Sequence, residues 1–285
     1  MPKIIATDLD GTLFYPKRTV RLIAGHTVKF LRNFIDEGGR VICVTGRNVA
    51  TQKLITKRLK RDVDYLGCNS SFIVHDGKKI KDDYFKAAEI SKVIDYVESN
   101  YDLKAVWLMS ENCDFLSKYQ YSSFFYFIGY KFWSFFQGIY KTKFKIDEQK
   151  FIDEINNGKV YKIMIMFGLG EKGKEKAKAA NKELREKFGD LVEFSWTGEM
   201  IEITPQGCSK ANGLKFYEEY FNINHSDIYV VGDSGNDISM FNEYQENSFC
   251  MSQAPLSVSK YAGHTLKRFS DLEQFITKKE GETNE

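Results

Sequence analysis

Two short apolar runs near opposite ends of the chain most restrict how it can fold. They are residues 3–7 (KIIAT) and 227–231 (DIYVV), and each gives way abruptly to carboxylates: Asp8 and Asp10 after the first, Asp233 and Asp237 after the second. Short apolar runs with β-branched residues, bounded by turn residues, read as buried strands. A third such run, residues 40–44 (RVICV), is followed at once by Thr45-Gly46-Arg47. From residue 20 to about 34 the apolar residues Leu22, Ile23, Val28, Leu31 and Phe34 recur at helical spacing, with Thr19 placed to cap the start and Gly38-Gly39 to stop it. A second helix is expected from about residue 48 to 59 and a strand at 65–68. Near the C-terminus a helix at 210–221, the strand at 227–231 and a helix at 237–244 repeat the alternation. Strands alternating with helices in this way make a parallel sheet.

Between residues 84 and 203 the order changes. Helical stretches at 87–99 and 171–188 stand among strand-like runs at 105–109, 160–167, 192–196 and 200–203, a mixed arrangement typical of an α+β domain. A chain of 285 residues can fill two ordinary domains. The fold class is therefore α/β, a parallel-sheet core made from residues 1–83 and 204–285, with an α+β domain of residues 84–203 inserted into it.

Charge and composition exclude several classes. Lys and Arg number 41 against 39 Asp and Glu, so there is no basic surplus for nucleic acid, and Lys57, Arg58, Lys60 and Arg61 read as a solvated helix face. The five cysteines, Cys43, Cys68, Cys113, Cys208 and Cys250, are odd in number and scattered, with no CxxC pair. That argues against a disulfide framework or a zinc site and fits a reducing cytoplasm. Acidic residues arrive at position 8, before the apolar segment of a signal peptide could form. The aromatic stretch at 122–140 is broken by Gly129, Lys131, Ser134 and Gln137, and no apolar run is long enough to span a bilayer. That stretch reads either as a packed element of the second domain or as a surface facing substrate or partner. The expected partner is a small molecule, with neither nucleic acid nor membrane.

Four short segments carry chemistry. In DLDGTL (residues 8–13) two carboxylates sit just past a strand end, where open parallel sheets bind their ligands, and Gly11-Thr12 lets the chain turn and present backbone N–H groups suited to phosphate. In VTGR (44–47) Thr45 offers a hydroxyl where a helix could begin, a natural anion site, although it could equally be a plain helix cap. Lys210, in PQGCSKANGL, could hold a phosphate or a carboxylate, or be an ordinary surface lysine. In GDSGND (232–237) Asp233 and Asp237 again follow a strand, with Gly235 and Asn236 shaping the loop between them. Four carboxylates brought together at the end of one sheet repel each other, and a hard cation relieves this; Mg²⁺ prefers a few carboxylates and leaves room for phosphate oxygens. A carboxylate such as Asp8 can attack phosphorus, and Asp10 can serve the leaving oxygen as acid and then water as base. Catalysis of phosphoryl transfer rests chiefly on positioning and charge stabilisation, which this set can supply.

In that order, DLDGTL, VTGR, Lys210 and GDSGND resemble the four motifs of the haloacid dehalogenase (HAD) superfamily, and the middle insertion resembles the α+β (type C2) cap of its Cof-type phosphatases. The resemblance covers nearly the whole chain. It implies a Rossmann-like core and a cap, and a cytoplasmic, Mg²⁺-dependent phosphatase that acts on a small phosphorylated metabolite, a sugar phosphate or similar, through a phospho-aspartate. It implies Asp8 as nucleophile and Asp10 as acid and base. It places Mg²⁺ on the Asp8 carboxylate, the Asp10 carbonyl and Asp233, with Asp237 in support. It gives Thr45, Gly46, Arg47, Lys210 and Asn236 to phosphate or substrate binding. Family members often carry Asn-Gly-Ala where this chain has Asn69-Ser70-Ser71, so the loop there is expected to differ.

A phosphomutase or phosphotransferase would use the same aspartyl-phosphate and remains the alternative function. A dehalogenase would not need an acid at Asp10, and an ion pump of the same chemistry would need membrane spans. A phospho-ligand sensor would be expected to have lost groups that Asp8, Asp10, Lys210 and Asp233 retain.

Overall fold

The computed structural model of the chain describes residues 3–16, 23–117, 120–137 and 143–276. The first segment of the core runs β1 (Ile4–Thr7), α1 (Gly25–Asp36), β2 (Arg40–Val44), α2 (Ala50–Leu59), β3 (Asp64–Gly67), β4 (Phe72–His75) and β5 (Lys78–Asp82). The middle segment contributes α3 (Ala87–Asn100), β6 (Ala105–Ser110), β7 (Asp114–Leu116), α4 (Gln120–Gln137), β8 (Phe144–Ile146), α5 (Glu148–Asn157), β9 (Val160–Met166), α6 (Gly170–Phe188), β10 (Val192–Thr197) and β11 (Met200–Pro205). The chain then returns through α7 (Lys210–Phe221), β12 (Ile228–Gly232), α8 (Ile238–Glu243), β13 (Ser248–Met251) and β14 (His264–Leu266). Among the described residues no helix is long and apolar enough to cross a membrane.

The first and last segments share one eight-stranded sheet, ordered β14-β13-β12-β1-β2-β3-β4-β5. Its first six strands are parallel, and β4 and β5 close the far edge antiparallel. β1 is buried on both faces: Ile5 packs with α1 residues Val28 and Leu31, while Ile4 and Ala6 pack with Leu214 of α7 and Phe241 of α8. That two-sided burial explains why these strands read as continuous apolar runs. The register places Thr7 beside both Cys43 and Val231, so the three chains emerging from β1, β2 and β12 leave the sheet side by side. The β4–β5 hairpin was not anticipated. Its turn is Asp76-Gly77, with φ of 47° and 74°, the left-handed pair that a tight hairpin requires and that an Asp-Gly dipeptide signals.

The middle segment forms a second sheet of six strands, ordered β10-β11-β9-β6-β7-β8 and antiparallel except for β7 and β8. β6 shows how it is sandwiched. Val106 and Leu108 pack among residues of α3, α5 and α6, while Trp107 and Met109 join the cluster that includes α4. In α4, Tyr126, Phe127 and Tyr130 pack on that cluster, with the Tyr130 ring 4.5 Å from Trp107 and 4.4 Å from Phe144. Phe125 and Phe132, by contrast, are 71% and 67% exposed, so the aromatic stretch is a packed element on one face only. Residues 138–140 of that stretch, and Thr19 with residues 20–22 of the first expected helix, lie outside the described residues.

The Asn69-Ser70-Ser71 loop departs from ordinary backbone. Cys68, Asn69 and Ser70 have φ of 49°, 55° and 76°, a left-handed path that a side chain makes costly. Ser70 fits because the residue facing it is Gly213 of α7, where any Cβ would collide with the Ser70 side chain. The Ser70 hydroxyl is buried with no hydrogen-bond partner among the described residues. Ser70→Gly removes both the backbone strain and the orphaned hydroxyl. It is expected to raise the free energy of unfolding by about 1 kcal/mol in urea titration, after the entropic cost of the new glycine. An unchanged or lower value would mean that the loop is not strained.

Candidate active site

Asp8 stands at the C-terminal end of β1, where its N–H donates to the Val231 carbonyl of β12 at 2.9 Å. Gly11 then turns the chain at φ 82°, and only a glycine fits, since a Cβ there would strike the Asp233 carboxylate. Thr12 donates from its hydroxyl to Asp233 Oδ1 at 2.8 Å and ties the first loop to the loop after β12. Sequence reasoning read Thr12 only as part of a turn.

Lys210 is the first residue of α7, capped by Ser209, whose side chain accepts from the Asn212 N–H. Its position is not that of a surface lysine: the side chain is fully buried. Nζ donates to Asp8 Oδ1 and to Asp237 Oδ1, both at 2.6 Å. Asp237 is saturated in turn. Its other oxygen accepts from the backbone N–H groups of Asp233 and Ser234 at 2.9 Å and from the Ser234 hydroxyl at 3.0 Å. Asp237 is therefore an organiser that fixes Lys210 and the loop.

The electrostatics follow from this crowding. Burial pushes the Asp8 carboxyl well above the usual carboxylate range; Lys210 pulls it down, and Asp237, Asp233 and Asp10 push it up again. Burial, with Asp237 next, pushes Asp233 up to about 7. Burial opposes charge on Lys210, but the Asp237 and Asp8 carboxylates more than offset this and hold it a firm ammonium. Oxygens of Asp8, Asp233 and Asp237 lie within 4.8 Å of one another. An all-oxygen set with more negative charge than one lysine can balance has the chemistry of a site for a hard divalent cation.

Asp10 and Arg47 form the opposite wall. Arg47 donates through Nε to Asp10 Oδ2 at 2.6 Å and through Nη2 to Oδ1, a bidentate pair. Its guanidinium is clasped between rings, 5.2 Å from the centre of Phe14 and 4.6 Å from that of Trp133 on α4, and donates to Gln137 Oε1 at 3.5 Å. Arg47 thus engages a carboxylate of its own chain in this conformation. Thr45 is buried at the end of β2, and its Oγ1 accepts from the Arg47 N–H at 3.2 Å. It does not cap a helix, because α2 starts only at Ala50. Asp8, Asp10, Thr45, Gly46, Arg47 and Asn236 all line one cavity of about 330 Å³. Asp233, Asp237 and Lys210 do not line it; Lys210 reaches Asp8 from behind and lines a neighbouring cavity with Asn69 and Asn236.

The far wall of the cavity comes from the second sheet. Lys162 of β9 and Glu202 of β11 form a buried ion pair at 2.9 Å. Lys162 also donates to the Gly46 carbonyl at 2.9 Å, and Asn69 donates to Glu202 at 2.8 Å, so the pair joins the two sheets across the cavity. Asn69 and Lys210 help hold Glu202 ionised despite burial, with Lys162 as its main support. Neither Lys162 nor Glu202 was singled out from sequence. The available signal was one charged residue in the middle of each apolar run, VYKIMIM and MIEITP.

Comparison with known proteins gives one consistent result. The model of a family described as haloacid dehalogenase-like hydrolase matches residues 5–271. Similar curated proteins include a 5-amino-6-(5-phospho-D-ribitylamino)uracil phosphatase of Escherichia coli, 22% identical over 90% of this chain and 87% of its own length. Another, a phosphatase of the same name from Bacillus subtilis, is 26% identical over 85% of this chain and 80% of its own. Among solved structures, a haloacid dehalogenase-like hydrolase from Bacteroides thetaiotaomicron superposes with a TM-score of 0.74 at 18% identity, over 96% of this chain and all of the other. A subclass IIB sugar phosphatase superposes with a TM-score of 0.76 at 18% identity, over 96% and 99%.

The buried pair provides a stability test. Glu202→Gln leaves the Lys162 ammonium buried beside a neutral amide, and removing one partner of such a pair costs about 3 kcal/mol or more. Urea unfolding of the variant is expected to show a loss of that size. A loss below about 1 kcal/mol would mean that the pair is solvated and does not join the sheets.

Proposed function

Because this chain belongs to the haloacid dehalogenase-like hydrolases, we propose that it is a phosphatase that hydrolyses a small phosphorylated metabolite through a phospho-aspartate on Asp8. The observation that carries the reading is the position of Asp8: at the end of the central strand, one oxygen held by Lys210, and lining the cavity. In the first step the Asp8 oxygen attacks phosphorus, the bond from phosphorus to the leaving oxygen breaks, and Asp10 gives that oxygen a proton. In the second, water attacks the phosphoryl group as Asp10 takes its proton, the bond to Asp8 breaks, and phosphate leaves with Asp8 restored. Arg47 engages both Asp10 oxygens in this conformation, so Asp10 must part from Arg47 to deliver its proton in the first step.

Lys210 neutralises Asp8 and faces the charge that develops on the phosphoryl oxygens. Thr45, Gly46 and Asn236 line the place where those oxygens sit. Mg²⁺ fits the donor set of Asp8, Asp233 and the Asp10 carbonyl, with Asp237 orienting the loop; when bound, it supplies positive charge against the phosphoryl oxygens. Residues 84–203 act as a cap that closes the cavity from above, on a core of residues 1–83 and 204–285. The two curated relatives are named for a phosphorylated ribitylaminouracil, which supports a small phosphomonoester as substrate. All five cysteines are free thiols, which supports a reducing, cytoplasmic setting.

The test is phosphate release from a panel of phosphorylated metabolites with Mg²⁺, with EDTA, and with Asp8→Asn. Release is expected with Mg²⁺ and not with EDTA. The near-isosteric Asp8→Asn is expected to lose about a thousandfold or more in kcat while melting as a folded protein. Activity that survives in the variant would remove Asp8 as nucleophile.

A further inference from the structure

Beside its polar residues, which include Asn48, Thr51 and Ser234, the cavity has a wall of carbon and sulfur. Its cap wall is built by Trp107, Met109, Met164 and Met200 together with Tyr130 and Trp133 of α4. The charged pair on that wall, Lys162 and Glu202, is already occupied with itself, Gly46 and Asn69. A second, mostly apolar space of about 590 Å³ lies against α4, bounded by Phe125, Tyr126, Met166 and Leu169, with Lys104 and Ser122. The two spaces adjoin, because Trp107, Tyr130 and Trp133 line both. Phe125 and Leu169 at its mouth are 71% and 79% exposed, a contiguous apolar surface of the kind that marks a binding site. From residue 115 to 146 the sequence holds five lysines and no Asp or Glu, so this apolar face stands in a stretch that attracts anions.

We propose that the phosphomonoester taken by this site carries an extended apolar chain on its leaving oxygen, which runs from the cavity past Trp133 into the groove along α4. The inference rests on the phosphatase reading and adds the substrate class to it. A sugar laid against the same wall would press its hydroxyls on thioether and ring carbons, and each hydroxyl stripped of water without a partner is penalised. An alkyl or acyl chain has the opposite balance: it releases water from both surfaces, and the flexible methionines adapt to its shape. The chain could reach the groove from solution or from a bilayer; the chemistry recognised is the same.

The experiment measures kcat/KM with Mg²⁺ for n-alkyl phosphates from butyl to decyl, below their micelle concentrations, beside glucose 6-phosphate. A rise with every added methylene is expected, up to about fourfold for each one fully buried, with decyl phosphate above glucose 6-phosphate. Phe125→Asp and Leu169→Asp, both at exposed positions, are expected to flatten the upper part of the series. A flat series, an unchanged slope in both variants, or a preference for glucose 6-phosphate would overturn the inference while leaving the phosphatase intact. Hydrolysis of no ester at any length would instead remove the phosphatase reading beneath it. Phosphate released from phosphatidic acid in phosphatidylcholine vesicles would place the source of the chain in a bilayer; release confined to the soluble series would place it in solution.

Discussion

The buried ammonium of Lys210 is the contact on which the rest of the site depends. It lies 2.6 Å from carboxylates on two different loops, Asp8 after β1 and Asp237 after β12. Without it, three acidic side chains at the end of one sheet would face each other with no positive charge among them. Asp237 passes the constraint on by accepting the backbone N–H groups of Asp233 and Ser234, which shapes the loop that presents Asp233. Thr12 closes the circuit back to the first loop. One cation thus sets the geometry of the candidate nucleophile, the candidate metal donors and the turn that carries them. Burial, and after it the neighbouring carboxylates, still keep the Asp8 and Asp233 carboxyls raised.

The second sheet contributes in two ways that pull on the same cavity. The Lys162–Glu202 pair grips Gly46 and Asn69 of the core, a rigid and fully buried seam. Helix α4 reaches the core through the ring of Trp133 and the amide of Gln137, both on Arg47. Because Arg47 also holds Asp10, the position of Asp10 is coupled to that of α4. The same helix supplies the apolar groove, so occupancy of the groove and freedom of Asp10 are properties of one element.

What was legible in sequence was whatever depends on local pattern. β1, β2 and β12 were visible because both faces of each are buried, which turns them into unbroken apolar runs. Their carboxylates were visible because a strand end is where such residues matter. Helix α7 appears over the residues expected, 210–221. What was not legible depends on partners distant in the chain. The segment around Lys210 leaves an anion holder and a surface lysine both open; its two carboxylate partners appear only when α7 is packed between two loops. The contacts of Arg47 with Asp10 and Trp133 likewise appear only in the fold. Ser70 is tolerated only because Gly213 faces it from a helix more than a hundred residues away. Two signals were present and unused: Asp76-Gly77 for the edge hairpin, and the lone charges of Lys162 and Glu202 within apolar strands.

The central claim is that the phosphoryl group is held covalently by Asp8 between the two steps. The direct measurement is to quench the Mg²⁺-loaded protein during turnover, reduce it with borohydride, and map the peptides by mass spectrometry. An acyl phosphate on Asp8 is reduced to homoserine, and the account expects that conversion at position 8 alone, dependent on added phosphomonoester. Turnover with an unmodified Asp8, or conversion at a different carboxylate, would contradict it.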